Sequence, residues 1–376
     1  MRTKPLRIAW LGHGSSELGG GMATYSQEVV AGLRSRGHHV AFFHHGFRAD
    51  ASARPAADDE FALDSVQLLK PLVFSRPRAK RQLVDRLRGH EFDLVHASFW
   101  FSSLDFDLPK TCHALGIPVV ATFHIAFDTR ISVWGGLTSA AYRLYVPTLS
   151  DCNRVIVFGE TQRDTLIEMG VPPEVLRILP NGVDIERYRP GESDWKRRLG
   201  ASRLFVFLGR VDSEKNVDTL IHAFFACRPT EDTKLVIVGT GTERRRLQRQ
   251  HRDSRLIFTG HVTDADQRIG ILQAADAFFL PSSVEGLSLS MLEAMACGAA
   301  TIATDVGGDG EALRGAGIVI DPGKLEEQLE LAIREILELP WLSETLGRTA
   351  RERVVERYSL ARNIDRLLEL YAEVLG

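Results

Sequence analysis

The stretch that most constrains the fold runs from Ala277 to Gly298. An apolar run, Ala277-Phe278-Phe279-Leu280, is closed by Pro281-Ser282 and predicts a buried strand. After a turn containing Gly286 the residues are good helix formers until Gly298 stops them. This strand-turn-helix unit sets Glu285 on the loop at the strand's C-terminal end and Glu293 in the following helix. Parallel sheets bind ligands at such ends, because N–H groups at a helix start hold phosphate while carboxylates accept from hydroxyls. A ligand carrying both phosphate and sugar hydroxyls meets both needs. Ser290-Met-Leu-Glu293 also fits a capping box, which gives Glu293 only a local role. On these residues alone the two readings stand side by side.

The same unit recurs along the chain. Leu6 to Leu11 predicts a strand, Gly12 to Gly21 is a Gly/Ser-rich loop, and the next helix carries Tyr25, Val29, Val30 and Leu33 on its apolar face. Strands are expected at 92–96, 118–123 and 154–158, then at 204–208, 234–238 and 300–303. Repeated βα units mean parallel sheets covered on both faces. A dinucleotide fingerprint is absent, since counting from Gly12 the sixth position is Glu17. At 376 residues the chain suits two domains. Pro180-Asn181-Gly182 makes a turn, placing a boundary near residue 183, with the polar segment Glu186 to Gly200 read as linker and a ligand cleft expected between the domains.

Composition removes other classes. Hydrophobic residues at 44% with 25% charged fit a globular protein rather than a disordered or fibrous one, and a net charge of -3 argues against a nucleic-acid partner. No apolar run is long enough to span a bilayer, and the N-terminal run is too short for a signal peptide. Cys112, Cys152, Cys227 and Cys297 form no C-x-x-C pair, which fits a reducing cytoplasm without disulfides or a cysteine zinc site.

Glu285 and Glu293, seven residues apart in the intervening count, resemble the E-x7-E signature of retaining glycosyltransferases of family four. Other motifs follow in the family's order. Gly19-Gly20-Gly21 resembles its N-terminal glycine loop, Asn181-Gly182-Val183-Asp184 its hinge, Gly209-Arg210 to Lys215 its donor-phosphate loop, and Gly239-Thr-Gly241-Thr-Glu243 a further cleft motif. Leu256 to Val262 resembles the segment lying against the nucleobase. After Gly307-Gly308 the chain departs from the pattern, with Asp309-Gly310-Glu311 and a compact turn.

The resemblance implies an α/β protein of the GT-B fold, two Rossmann-like doubly wound domains facing across a cleft. Residues 1–183 would form the acceptor domain, with a helix at 358–376 crossing back onto it, and 184–357 the donor domain. It implies transfer of a hexose from a UDP- or GDP-sugar to a hydroxyl, with retention and without metal or other cofactor. His124, Arg210, Lys215 and Glu285 are the expected catalytic residues. Gly20, Gly21, Gly209, Gly239, Val262, Gly286, Leu287, Ser288 and Glu293 complete the donor site, Glu293 at the ribose. A nucleotide-sugar epimerase of the same fold and a silent glycan-binding protein are the alternatives.

Four features stay open. His124, at a strand's end, keeps a structural histidine as its alternative reading. Asp105-Phe-Asp107 and Asp264-Ala-Asp266 match the D-x-D of metal-binding transferases, but are better read as loop or helix-start carboxylates. Phe99, Trp100, Phe101 and Trp134 serve either core or acceptor cleft. Lys70 to Arg88 crowds cations among apolar residues, either a solvated helix face or a surface for anionic lipid. Lipid, lipid-linked and saccharide acceptors all remain, with a cytoplasmic location that becomes peripheral at the inner membrane face if the basic stretch binds lipid.

Overall fold

The computed structural model describes residues 4–13, 20–46, 59–69, 72–126 and 133–376. Gly14, Gly19 and Lys70 lie outside the described residues, and of Trp134 the backbone alone is described. The chain forms two compact units, Met1–Pro180 with Asn363–Gly376, and Asn181–Arg362.

The first unit is built on β1 (Arg7–Gly12), β2 (His39–Gly46), β3 (Glu60–Leu69), β4 (Leu72–Ser75), β5 (Leu94–Phe99), β6 (Val119–Phe123), β7 (Arg154–Val157) and β8 (Leu176–Ile178). They lie in the order β4-β3-β2-β1-β5-β6-β7-β8, all parallel except the β3–β4 pair. Parallel strands flanked by helices are buried on both faces, so every residue of β5 and β6 is inside, the polar His96, Ser98 and Thr122 included. Helix Gly20–Ser35 buries Tyr25, Val29, Val30 and Leu33, the face its periodicity predicts. Helix Leu360–Leu375 turns Ile364, Leu367, Leu370 and Tyr371 inward, while Glu373 takes Arg154 at 2.5 Å and Arg177 at 2.7 Å.

The second unit carries β9 (Arg203–Leu208), β10 (Thr233–Val238), β11 (Leu256–Gly260), β12 (Ala277–Leu280), β13 (Ala300–Thr304) and β14 (Ile318–Ile320). The order is β11-β10-β9-β12-β13-β14, parallel throughout. Phe278 and Phe279 on opposite faces of β12 are both fully buried, each contributing roughly 1.5–3 kcal/mol by removal from water. Strand order reverses between β9 and β12, and between β1 and β5 in the first unit. Helices leave the sheet in opposite directions at such a switch point, opening a crevice at the strand ends.

One local expectation is corrected, and one alternative is decided. Glu186 to Gly200 is not a linker: Tyr188 is fully buried, and Arg351 donates to the carbonyls of Tyr188 and Ile185 at 2.8 and 3.0 Å. Polarity in the segment misled, because its backbone carbonyls are satisfied by a distant guanidinium. The basic stretch carries the solvated helix face that was one of its two readings. The β3–β4 hairpin precedes helix Pro77–Gly89, whose apolar residues Ala79, Leu83 and Leu87 are buried. Its cations face outward or pair, Lys80 with Asp107 at 2.7 Å and Arg86 stacked 3.8 Å over the Phe61 ring.

Candidate active site

At the switch point of the second unit, two loops 70 residues apart in sequence are fastened together. The loop after β9 ends in a one-turn 3-10 helix, Ser213–Lys215, and Asn216 follows with φ +49, a left-handed conformation that Asn tolerates better than most residues. The Asn216 amide donates to the Pro281 carbonyl and to Ser283 Oγ, both at 2.8 Å, and the Ser283 N–H donates to the Glu214 carbonyl at 2.7 Å. This fastening sets Lys215 Nζ 2.5 Å from Glu285 Oε1, with side chains only 11% and 14% exposed. Buried Ser282 donates to the same oxygen at 2.8 Å. Arg210, 57% exposed, is held by Asp212 and, at 2.5 Å, by Glu214.

Glycine is required where backbones press together. Gly307, at φ +54, would carry a Cβ 2.0 Å from the Glu285 carbonyl oxygen, and the Gly308 N–H donates to the Gly286 carbonyl at 2.5 Å. The turn after β13 thus braces the Glu285–Gly286 backbone from behind. Gly239, at φ +136, would likewise drive a Cβ into the Gly209 carbonyl. Gly239 is accounted for by contact between the two strand ends, whereas a Cβ at Gly209 would lie 3.3 Å from the Phe207 ring. Gly20, at φ +44, and Gly21 start the helix after β1 with nothing near an added Cβ. Val262 is half-buried after β11.

Ser288 is the N-cap of helix Leu289–Ala296, its Oγ accepting from the Met291 N–H at 3.4 Å. The capping box expected at Ser290 and Glu293 is therefore not formed. Glu293 is an interior, buried residue of the helix, with Arg268 at 3.4 Å. Arg268 also meets the hydroxyl of buried Tyr188. Burial raises the Glu293 pKa, and the Arg268 charge opposes the rise. The Ser288 N–H is committed to Asp309 Oδ1 at 2.7 Å, while the Leu289 and Ser290 N–H groups find no partner among the described residues. Leu287 is buried and its carbonyl accepts from Asn181 at 2.7 Å. Asp309 is buried beside Glu285, and its pKa lies well above the ordinary value through burial first and the Glu285 charge second. Sequence reasoning missed Ser282, Asn216, Arg268 and Tyr188, and saw Asp309 only as a departure from pattern. An Asp buried behind a Gly-Gly turn leaves no periodic signal.

The first unit's switch point is different in kind. His124 follows β6, its N–H donating to the Phe99 carbonyl at 3.1 Å. Its ring packs edge-on to Tyr25 with centroids 5.0 Å apart, and its Nε2 is buried without a partner among the described residues. Burial, then the neighbouring histidines His13 and His96, hold its pKa well below the ordinary value. Burial lowers His13 to about 4 and His96 to about 3. His96 stacks on Trp10 and lies in a buried relay: Tyr371 to His96 at 2.7 Å, His96 to Thr122 at 2.9 Å, Thr122 to Tyr25 at 3.2 Å. Phe99 is core and Trp100 is half-buried, its ring edge-on to His13.

The D-x-D matches are local. Asp105 accepts from the N–H groups of Trp100 and Ser102 at 3.1 Å and from Tyr145 at 2.6 Å, while Asp107 pairs with Lys80. Burial lifts Asp105 to about 7 against those bonds. Asp264 caps helix Ala265–Ala274. The four cysteines are free.

Two doubly wound parallel-sheet units define an α/β protein of the GT-B fold. The profile "Glycosyltransferase Family 4" matches residues 19–187 and "Glycosyl transferases group 1" matches residues 192–353. The chain belongs to glycosyltransferase family four. It is 27% identical over 409 residues to the D-inositol 3-phosphate glycosyltransferase of Rhodococcus jostii, covering 98% of this chain and 89% of that enzyme. To the glycogen synthase of Mycobacterium tuberculosis it is 28% identical over 276 residues, 71% of this chain but only 65% of that enzyme's length. The structure of Anabaena HepE in complex with UDP-glucose superposes with TM-score 0.79 at 18% identity, covering 98% of this chain and all of that one. No described helix is long and apolar enough to cross a membrane.

Proposed function

We propose that the protein transfers a hexosyl group from a UDP- or GDP-linked sugar to a hydroxyl of a lipid, lipid-linked or saccharide acceptor, retaining anomeric configuration and needing no metal. The observation that carries the reading is the Lys215–Glu285 pair at 2.5 Å, nearly buried at the switch point of the second unit. A lysine held there presents a fixed cation to a diphosphate, and a carboxylate beside it accepts from sugar hydroxyls. The names of the relatives support sugar transfer, and the UDP-glucose bound by HepE supports the donor class. Retention rests on the resemblance to E-x7-E enzymes.

In this mechanism the bond between the anomeric carbon and the diphosphate oxygen breaks while the acceptor oxygen bonds to that carbon. Lys215, Arg210 and the helix-start N–H groups of Leu289 and Ser290 stabilise the charge gathering on the diphosphate. The departing oxygen then takes up the acceptor's proton, so no separate base is required. Arg210 must leave Asp212 and Glu214 to join the diphosphate. Glu285 positions the sugar, Glu293 meets the ribose with Arg268 as counter-charge, and His124 approaches the sugar as a neutral hydrogen-bonding group.

The test is thermal shift with UDP, GDP and ADP, then product analysis by NMR with the matching donor sugars and a hydroxyl acceptor panel. Stabilisation by one diphosphate and an anomer matching the donor are expected. Donor consumption that yields an epimerised sugar without acceptor, or no stabilisation by any nucleotide, would overturn the proposal.

A further inference from the structure

A second cluster of ligating side chains lies in the same unit but outside the switch-point loops. Helix Val217–Ala226 carries Asp218 in its first turn and His222 one turn later, on one face. His251 follows the end of helix Arg244–Gln250. Nε2 of His222 and Nε2 of His251 approach the same atom, Asp218 Oδ1, at 3.6 and 3.5 Å. One ligand atom from each of the three residues lies within 4.8 Å of the others.

Three features distinguish this cluster from a chance surface ion pair. Asp218 Oδ1 is buried and makes no hydrogen bond among the described residues, a rare condition for a carboxylate oxygen. The other oxygen, Oδ2, accepts from Arg246 at 3.0 Å, which fixes the carboxylate and leaves Oδ1 pointing at the imidazoles. The His251 ring is held nearly parallel to Phe225, at an interplanar angle of 12°. Separations of 3.5 and 3.6 Å are long for hydrogen bonds. They are slightly longer than the edge of a tetrahedron about ions with bond lengths of about 2.0–2.1 Å, which is roughly 3.3–3.4 Å. Arg252, Glu326, Glu330 and Asp253, the last paired with Arg255 at 2.7 Å, line the depression that includes both histidines.

We propose that Asp218, His222 and His251 form a binding site for a divalent transition cation of the Zn2+ class, tying the start of one helix to the end of another. Two imidazoles and one carboxylate select such ions over Mg2+ and Ca2+, which prefer all-oxygen shells. Three protein ligands leave a fourth position for water. The site is structural: a bound ion stabilises the folded second unit by mass action and takes no part in sugar transfer.

The test is calorimetric titration of the untagged full chain with ZnCl2 at pH 7.5 after chelator treatment and dialysis, with Co2+ absorption as a second readout. One equivalent is expected, with visible bands of a four-coordinate cobalt site. Asp218→Asn, His222→Ala and His251→Ala should each weaken binding at least about tenfold. Excess Zn2+ should raise Tm by on the order of a few degrees, reversed by EDTA. His222 is 58% exposed in its side chain, so its variant folds and carries the test if the others do not. His113→Ala, an exposed histidine of the first unit, should change nothing. Zinc uptake that is absent, or unchanged in His222→Ala, would overturn the proposal and leave a protonation-dependent ion pair.

Discussion

The two units share a topology and differ in what they hold at the switch point. In the second unit it is charged, with Lys215 against Glu285 and exposed Arg210 between two acids. In the first it is aromatic and neutral: His13, His96 and His124 are held unprotonated by burial among Trp10, Tyr25 and Trp100. Parallel strand ends leave a crevice whatever the sequence; side chains decide whether it suits an anion or a neutral hydroxyl compound. A diphosphate needs fixed cations, whereas a sugar or alcohol hydroxyl is met by neutral donors and acceptors and by aromatic faces.

The comparison breaks most directly at Lys215. Lys215→Ala and Arg210→Ala should each cut turnover on the order of a hundredfold or more with folding intact, as loss of a transition-state charge contact does. Steady-state kinetics with circular dichroism checks this, and near-normal turnover in both variants removes the donor-phosphate role. EDTA should leave turnover unchanged; if activity vanished and returned with Mn2+, a catalytic metal would have to be added.

The contrast also sets opposite pH responses. Buried histidines of the first unit have folded pKa values below the ordinary 6.5: His13 about 4, and His45 and His96 about 3. Their contribution is present above pH 6.5 and lost as pH falls toward those values, at about 1.4 kcal/mol per pKa unit. Asp105, raised to about 7, works the other way but is one group against several. In the second unit Asp309 and Glu293 are raised, so their contribution is present below the ordinary carboxylate range and lost as pH rises through their folded values. Hydrogen exchange followed by mass spectrometry, corrected for intrinsic rates, should show the first unit losing protection from pH 7 to 5 and the second gaining it. Asp309→Asn should flatten the second unit's response while keeping the bond to the Ser288 N–H. Parallel responses in both units would contradict the assignment.

A smaller effect belongs to the relay that ends on the C-terminal helix. Tyr371→Phe leaves His96 Nδ1 buried without its partner, which should cost about 1–3 kcal/mol in urea unfolding. Donor affinity in the second unit should not change. A variant as stable as the wild type would mean that the relay is not holding the helix.

What the sequence showed follows from the range of the signal. The strands and helices of both sheets were legible because near-continuous apolar runs and 3.6-residue periodicity are local, and Glu285 could be placed at a strand end from Pro281 and Gly286 alone. The β3–β4 hairpin was hidden beneath the charges near Lys70, and the Glu186–Gly200 segment beneath its polarity. Asp309 behind the Gly307-Gly308 turn, Arg268 on Glu293 and Asp218 with His251 are pairings that only the folded chain creates. Composition carries no trace of the relay joining His96 to Tyr371, 275 residues apart.

The smallest expected effect tests whether the first unit's outer surface adds a charge preference that its crevice lacks. Helix Pro77–Gly89 has its apolar face on the core, so it cannot insert as an amphipathic membrane helix; Phe74 nearby is exposed. Attraction to anionic lipid would therefore be electrostatic, about 1 kcal/mol for each cation near the surface and weakened by salt. Lys80 and Arg86 are partly engaged by Asp107 and Phe61, which leaves Arg78, Arg81 and Arg88 as the main contributors. Sedimentation with vesicles containing anionic lipid should show weak binding at low salt, reduced when Arg76, Arg78, Lys80 and Arg81 are replaced by Ser. No binding to anionic vesicles, or binding indifferent to those four changes, would make a soluble acceptor the better reading and confine the protein's anion recognition to the second unit.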